Sequence, residues 1–252
     1  MNFSVLNWNI EGSKYYTSTK LSKIIPHLEK STADIFCLQE AQELREKILL
    51  SDKLSKFNYT FPKNKEDRNI ILSKFPVVNS GEISFPITIH SVLEKVIWAD
   101  IKINEEIIRI YNCHLEIVEV GPKQRLEQLN FILEDAKKHQ GPVIVCGDMN
   151  TTIPVAGWGR KIIQWFHKVA NHNLITDQEY LHLDERHFFL KKAELAGFKD
   201  AINLHDSTWC IMPLRWEIFK LKLDWFLVRN LEKPEVSLGK YVSDHRSVLA
   251  KF

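Results

Sequence analysis

The segment Val145-Cys146-Gly147-Asp148-Met149-Asn150 largely decides how this sequence folds, because an apolar run stops abruptly at polar side chains. Val143–Cys146 is short and rich in β-branched residues, which predicts a buried strand. Asp148 and Asn150 then follow at the point where the strand ends. An unpaired carboxylate is costly to bury, so an acid in this position is expected to bind a cation or to take part in proton transfer.

The same pattern, an apolar strand that ends at polar or metal-binding residues, recurs along the chain. It is found at Leu6–Glu11, Phe36–Glu40, Tyr111–Leu115 and Leu223–Leu227, while Val242–Arg246 precedes a final apolar strand. If these strands converge at one edge of a sheet, their carboxylates, amides and imidazoles meet there. Oxygen-rich sets of Asp, Glu and Asn suit a hard divalent ion such as Mg²⁺ better than zinc.

Helical and strand patterns alternate in some parts of the chain and strands run consecutively in others. Apolar spacing predicts helices near residues 21–28, 126–136, 162–169 and 184–196, and consecutive strands at Ile83–Ile89, Val92–Ile103 and Ile107–His114. This mixture predicts sheets covered by helices. The pattern alone does not choose between one mixed sheet and two packed sheets. The chain shows no repeat and no Gly/Ser linker, so we expect a single domain over residues 1–252.

Composition excludes several classes of protein. With 252 residues, 44% hydrophobic and 11% aromatic, and a net charge of +2, the chain is not disordered. Four cysteines are too few for a disulfide scaffold. Cys37, Cys113 and Cys146 lie in apolar, strand-like segments, which favours buried free thiols. The near-neutral balance argues against a protein that binds nucleic acid tightly through nonspecific phosphate contacts.

We expect a cytoplasmic protein. No basic stretch precedes the apolar residues at the start of the sequence, and Asn7 interrupts them, so no secretory signal is expected. No run of about 18 apolar residues exists, and hence no membrane span is expected.

Short motifs in order along the chain resemble the endonuclease/exonuclease/phosphatase superfamily, which has the deoxyribonuclease-I-like fold. They are Trp8–Gly12, Leu38–Glu40, Asn112–Leu115, Gly147–Asn150, Leu223–Trp225 and Ser243–His245, together with Ile70–Pro76. Each motif by itself is weak evidence for the family, but their occurrence in the family's order makes the resemblance specific. The resemblance implies an α+β protein with a four-layer α/β/β/α sandwich, in which two packed mixed sheets are flanked by helices. It also implies metal-dependent attack of water on a phosphoester.

The resemblance also implies a role for each matching residue. Glu40 would be the main ligand of Mg²⁺, for which Mn²⁺ is a possible substitute, with Asn9, Glu11 and Asp244 as further candidates for the metal site. His245 would pair with Asp224, and sequence does not decide whether it acts as a base or as a cationic stabiliser. The remaining candidates are Asp148 for the attacking water, Asn150 and His114 for the phosphoryl group and leaving group, and Asn112 and Trp158 for substrate binding.

Taken singly, these residues have ordinary structural explanations. Asp148 and Asn150 would also suit an Asx turn, Glu40 would suit the first turn of a helix, and His114 would suit a half-buried strand. Their occurrence together favours a hydrolase, with a nucleic-acid phosphodiester as the expected substrate and a monomer as the expected state. A phospholipid, as in sphingomyelinases, or an inositol or sugar phosphate is the first alternative. A catalytically silent binding module of the same fold is the second.

Overall fold

The computed structural model describes residues 2–11, 18–61, 68–85, 96–116, 122–151, 184–210 and 221–252. Within these ranges the strands are β1 (Ser4–Asn9), β2 (Ile35–Gln39), β3 (Asn58–Thr60), β4 (Ile70–Ser73), β5 (Val77–Ile83), β6 (Val96–Ile103), β7 (Glu106–His114), β8 (Val143–Asp148), β9 (Lys199–Asp200), β10 (Asp224–Arg229), β11 (Glu235–Tyr241) and β12 (Arg246–Lys251). The helices are α1 (Ser18–Lys30), α2 (Arg45–Leu50), α3 (Pro122–Ala136) and α4 (Glu185–Leu195), with short 3-10 turns at Gln42–Leu44 and Leu54–Lys56.

The strands form two six-stranded mixed sheets. The first has the order β11-β12-β1-β2-β4-β3 and the second the order β5-β6-β7-β8-β10-β9. One pair in each sheet is parallel, β1 with β2 and β7 with β8. These two parallel pairs face each other, since β1 packs on β8 and β2 packs on β7. The expected α+β sandwich of two packed mixed sheets is therefore confirmed.

Three apolar clusters hold the layers together. The cluster between the sheets includes Val5, Cys37, Ile110, Cys146 and Val248. On the outer face of the first sheet, Ile24 and Leu28 of α1 pack on strand residues such as Trp8 and Phe36. On the outer face of the second sheet, α3 and α4 contribute Leu129, Leu133 and Phe189. Each sheet is thus buried on both faces over its central strands, which explains why those strands read as nearly continuous apolar runs.

The edge strands are where the sequence-based prediction fails. The apolar pattern predicts a strand over Ile83–Ile89, whereas β5 ends at Ile83 and residues 86–95 lie outside the described ranges. The prediction does not include strands β3 and β11. All three strands are partly exposed and lack the continuous apolar runs of the central strands, and β11 instead alternates polar and apolar residues over Glu235–Leu238. The helix expected at 162–169 also lies outside the described ranges.

All four cysteines are free and buried, as expected for Cys37, Cys113 and Cys146. No helix in the described part of the chain has the length and the apolar character needed to cross a bilayer.

Strands β7 and β8 approach each other closely at Gly147. Its backbone has a φ of 142°, and a Cβ atom at this position would lie 1.9 Å from the carbonyl oxygen of Cys113. Only glycine fits such an approach without a shift of one strand. We expect Gly147→Ala to lower the free energy of unfolding by at least about 3 kcal/mol, measured by chemical denaturation.

Gly197→Ala provides a matched control. Gly197 also has a positive φ, of 82°, but a Cβ atom at this position would have only the flexible Arg229 side chain nearby, at 3.6 Å. The Gly197→Ala substitution should lower the free energy of unfolding by about 1 kcal/mol. Equal losses in the two variants would show that the close approach of β7 and β8 is not what requires Gly147.

A buried ion pair joins α3 to α4. Arg125 donates from Nε and Nη2 to the two carboxylate oxygens of Glu185, at 2.9 and 2.7 Å. Both side chains are fully buried. Breaking a buried two-bond ion pair from one side is strongly destabilising, so Glu185→Gln should cost about 3–5 kcal/mol in the free energy of unfolding. The exposed pair Lys137–Glu134 is the comparison, and Glu134→Gln should cost less than about 1 kcal/mol.

Candidate active site

Strand register brings the candidate residues to one edge of the sandwich. In the second sheet, His114 lies opposite Asp148, and Asp148 lies opposite Asp224. In the first sheet, Asn9 pairs with Gln39, so Glu40 follows directly after the neighbouring strand end. Because the parallel pairs of the two sheets face each other, the ends of all these strands open onto the same edge.

The backbone is unusual at three of these strand ends. Glu11, Glu40 and Asn150 have φ values of 51°, 53° and 50°. This left-handed region is unfavourable for a residue with a side chain, and Asn tolerates it better than Glu. Such conformations persist where the surrounding structure enforces them, and they concentrate at functional sites. Here they turn the chain sharply just after β1, β2 and β8.

His245 and Asp224 form the expected pair. Nδ1 of His245 lies 2.8 Å from Oδ2 of Asp224. The imidazole is 4% exposed and Asp224 is fully buried. The backbone N–H of Asp224 donates to Oγ1 of Thr208 at 3.0 Å, and that of His245 donates to Oγ of Ser243 at 3.1 Å. Both members of the pair are therefore anchored through their backbones as well as their side chains.

The charge of His245 follows from its neighbours. Burial by itself would lower the pKa of His245, but the carboxylates of Asp224, Asp148 and Asp244 outweigh burial and raise this pKa to about 10. The imidazole is consequently protonated near neutral pH. A cation at this position is suited to stabilising negative charge.

One carboxylate oxygen lies between the two histidines. Oδ2 of Asp148 is 3.5 Å from Nε2 of His245 and 3.7 Å from Nε2 of His114. Nδ2 of Asn9 donates to the same oxygen at 2.9 Å and approaches Oε1 of Glu40 at 3.3 Å. Asn9 thus connects Asp148 to the candidate metal ligand Glu40.

Among the residues that the structure describes, no three or more His, Cys, Asp or Glu side chains form a group that could hold a metal ion. The donor chemistry at Glu40 nevertheless suits a hard cation, because Mg²⁺ uses one or two carboxylates and keeps several waters. Burial raises the pKa of Asp244 to about 7; His245 opposes this rise, and the carboxylates of Glu11 and Glu40 add to it. This local excess of negative charge is what a divalent ion would relieve.

Two of the expected metal-site residues have other contacts. The amide oxygen of Asn9 accepts from the Glu11 backbone N–H at 2.9 Å, and its nitrogen faces the carboxylates. The amide nitrogen of Asn9 thus faces the acids, and its place in the metal site stays a prediction. Oδ2 of Asp244 accepts from Nε1 of Trp209 at 3.2 Å. The carboxylates of Glu40, Glu11 and Asp244 stay the candidates for direct ligation.

Asn112 lies in the interior beneath the site, and its expected contact with substrate stays a prediction. The residue is fully buried, and its Nδ2 donates to the carbonyl oxygens of Leu38 and Ile70, each at 2.9 Å. Both amide hydrogens are thereby used within the protein. Asn150 lies beside the site as expected, and its Nδ2 donates to the carbonyl oxygen of Leu115 at 2.9 Å. Trp158 lies outside the described residues.

Sequence reasoning missed two residues that support the site. Thr208 accepts from the Asp224 backbone, and Trp209 donates to Asp244 while its backbone pairs with His245. Neither residue lies in a regular strand or shows a local pattern. Their role depends on contacts across 16 or more positions of the chain, which no short-range signal reports.

A family of known proteins matches this sequence. A model of the "Endonuclease/Exonuclease/phosphatase family" matches residues 6–245, which are nearly the whole chain. The chain belongs to that family. The match begins at β1 and ends at His245, so it includes every residue of the site described above. A search of curated protein sequences finds no match.

Several solved structures share the fold of this family member at low sequence identity. TDP2 of D. rerio in complex with a single-strand DNA product has a TM-score of 0.69 at 17% identity, covering 99% of this chain and 98% of the other. The 3′ phosphatase NExo of Neisseria with a product DNA hairpin has a TM-score of 0.63 at 16% identity, covering 99% of both chains. Sphingomyelinase C of Streptomyces griseocarneus has a TM-score of 0.67 at 14% identity, covering 100% and 99%.

Proposed function

We propose that this protein is a divalent-metal-dependent hydrolase that cleaves a phosphodiester of nucleic acid by attack of water. The observation that carries the proposal is the position of Asp148. Its Oδ2 lies within 3.7 Å of Nε2 of both His114 and His245, and His245 is itself held by Asp224 at 2.8 Å. An acid between two imidazoles can orient water and receive a proton while the imidazoles contact phosphoryl oxygens.

In this proposal each residue has a separate role. A divalent cation held by Glu40 would supply positive charge beside the phosphoryl oxygens. Asp148 orients the attacking water and takes its proton as the oxygen–phosphorus bond forms. His245, kept cationic by its carboxylate neighbours, stabilises the negative charge of the phosphoryl group. The bond from phosphorus to the leaving oxygen then breaks, and that oxygen takes a proton from His114 or from solvent.

The choice of nucleic acid rests on relatives, since two of the similar structures hold a DNA product. A phospholipid is the second candidate, because sphingomyelinase C has a similar fold over its full length and this chain lacks a large basic surplus, with a net charge of +2. A catalytically silent module is the third candidate. The presence of Glu40, Asp148, Asp224 and both histidines in one place argues against it.

The catalytic proposal predicts the effect of removing Asp148. Asp148→Ala should lower kcat by about 10²–10⁴-fold, because proton transfer in the transition state loses its acceptor. Hydrolysis of bis(p-nitrophenyl) phosphate with Mg²⁺ measures this. Asp52→Ala, at an exposed acid in the turn after α2, should keep wild-type kcat. Wild-type turnover in a folded Asp148→Ala variant would contradict the role of Asp148.

The substrate is tested with a panel. It contains single- and double-stranded DNA, RNA, a 5′-tyrosyl oligonucleotide, sphingomyelin and inositol phosphates, each incubated with the wild type and with Asp148→Ala. We expect the highest kcat/KM on a nucleic acid. Preference for sphingomyelin supports the second candidate, and turnover of none supports the silent module.

Metal binding predicts a change in stability that does not depend on turnover. At a concentration of about 100 times its Kd, Mg²⁺ should add about 2.7 kcal/mol to the free energy of unfolding and raise Tm by about 5 °C or more. Glu40→Gln should lose at least half of this shift, whereas Glu134→Gln, an exposed acid on α3, should retain it. An equal Mg²⁺-dependent shift in Glu40→Gln would exclude Glu40 as the principal ligand.

A further inference from the structure

A row of buried amide side chains crosses from one sheet to the other directly beneath the site. It consists of Asn112 on β7, Gln39 on β2 and Asn7 on β1, and we call it the amide relay. All three side chains are fully buried. Buried N–H groups need acceptors, so the hydrogen bonds between these residues fix how each amide is turned.

Asn112 sets the direction of the relay. Its Nδ2 donates to the backbone oxygens of Leu38 and Ile70, which can only accept. Its Oδ1 must therefore be the atom that faces Gln39, and Nε2 of Gln39 donates to it at 2.6 Å. The same Nε2 donates to Oδ1 of Asn7 at 2.8 Å. Turning Gln39 round would place its oxygen against two acceptor oxygens.

The last amide of the relay reaches the catalytic pair. Oδ1 of Asn7 accepts from Gln39, so Nδ2 of Asn7 is turned toward Asp224. This nitrogen lies 3.4 Å from Oδ1 of Asp224. The other oxygen of Asp224 faces Nδ1 of His245 at 2.8 Å. With a donor on each oxygen, the plane of the buried carboxylate is held, and the imidazole is directed so that Nε2 lies 3.5 Å from Asp148.

We propose that Asn7 is a positioning residue of the reaction, which orients Asp224 and through it His245, and that Gln39 and Asn112 act by fixing the orientation of Asn7. This inference rests on the proposed function, because it concerns the same site. The alternative is that the relay only satisfies buried polar groups between the sheets. In that case its loss would affect stability and leave the geometry of His245 unchanged.

The test compares Asn7→Leu with Tyr111→Phe. Leucine is close to asparagine in size and has no N–H to offer Asp224. Tyr111 lies on the same strand as Asn112, and its hydroxyl donates to Asp135 on the outer side of the sheet at 2.9 Å. Tyr111→Phe therefore removes a partly buried hydrogen bond without touching the relay, and it controls for loss of stability.

With bis(p-nitrophenyl) phosphate and Mg²⁺, Asn7→Leu should lower kcat roughly 10–100-fold and leave KM within about twofold. A second readout needs no turnover. The imidazole N–H signal of His245, assigned by ¹H–¹⁵N NMR from its loss in His245→Ala, should shift or broaden in Asn7→Leu. Both readouts should stay at wild-type values in Tyr111→Phe.

Gln39→Met is a second variant, which keeps Asn7 and removes the donor that fixes its orientation. It should change kcat and the imidazole signal in the same direction as Asn7→Leu but less, and it serves as the test if Asn7→Leu does not fold. The inference would be overturned if a folded Asn7→Leu or Gln39→Met protein kept the wild-type imidazole signal and had the same kcat as Tyr111→Phe. If the wild type hydrolyses no phosphoester, the proposed function fails, and the NMR comparison still decides whether Asn7 positions His245.

Discussion

The parallel pairing of β7 with β8 is the contact on which the site depends. Its register sets His114 beside Asp148, and the antiparallel addition of β10 sets Asp224 on the other side of Asp148. Gly147 makes the pairing possible at its closest point, where any side chain would meet the backbone of Cys113. A shift of one residue in this register would turn each of these side chains to the opposite face. The geometry of the candidate site is thus a property of the sheet as much as of the individual residues.

Function and stability are opposed at this edge of the sandwich. Asp148, Asp224 and Asp244 are largely withdrawn from water and lie near one another, which is unfavourable without compensating charge or donors. The protonated imidazole of His245 and the amide N–H groups of Asn7 and Asn9 stabilise these carboxylates. The carboxylates of Glu11 and Glu40 lie close enough to Asp244 to add to the rise in its pKa.

Much of the site can be found from the sequence, because Glu40, Asp148 and His245 each adjoin a clear apolar strand within a motif that resembles a known family. The central strands are predictable for the same reason, since burial on both faces leaves continuous apolar runs. The edge strands β3, β5 and β11 are harder to predict, because partly exposed strands contain polar as well as apolar residues. Substrate contact by Asn112 stays a prediction, although its amide is bonded within the protein. Thr208 and Trp209 escape prediction, since only three-dimensional contacts define what these residues do.

The burial of every cysteine gives the protein an intrinsic set of chemical probes. Cys37 lies in the first sheet, Cys113 and Cys146 lie in the second, and Cys210 follows Trp209 beside the site. A thiol-reactive dye cannot reach any of them in the closed fold, so modification must wait for local or global opening. Sites that are labelled at different rates would therefore rank the parts of the sandwich by how often each one opens, without any engineered label.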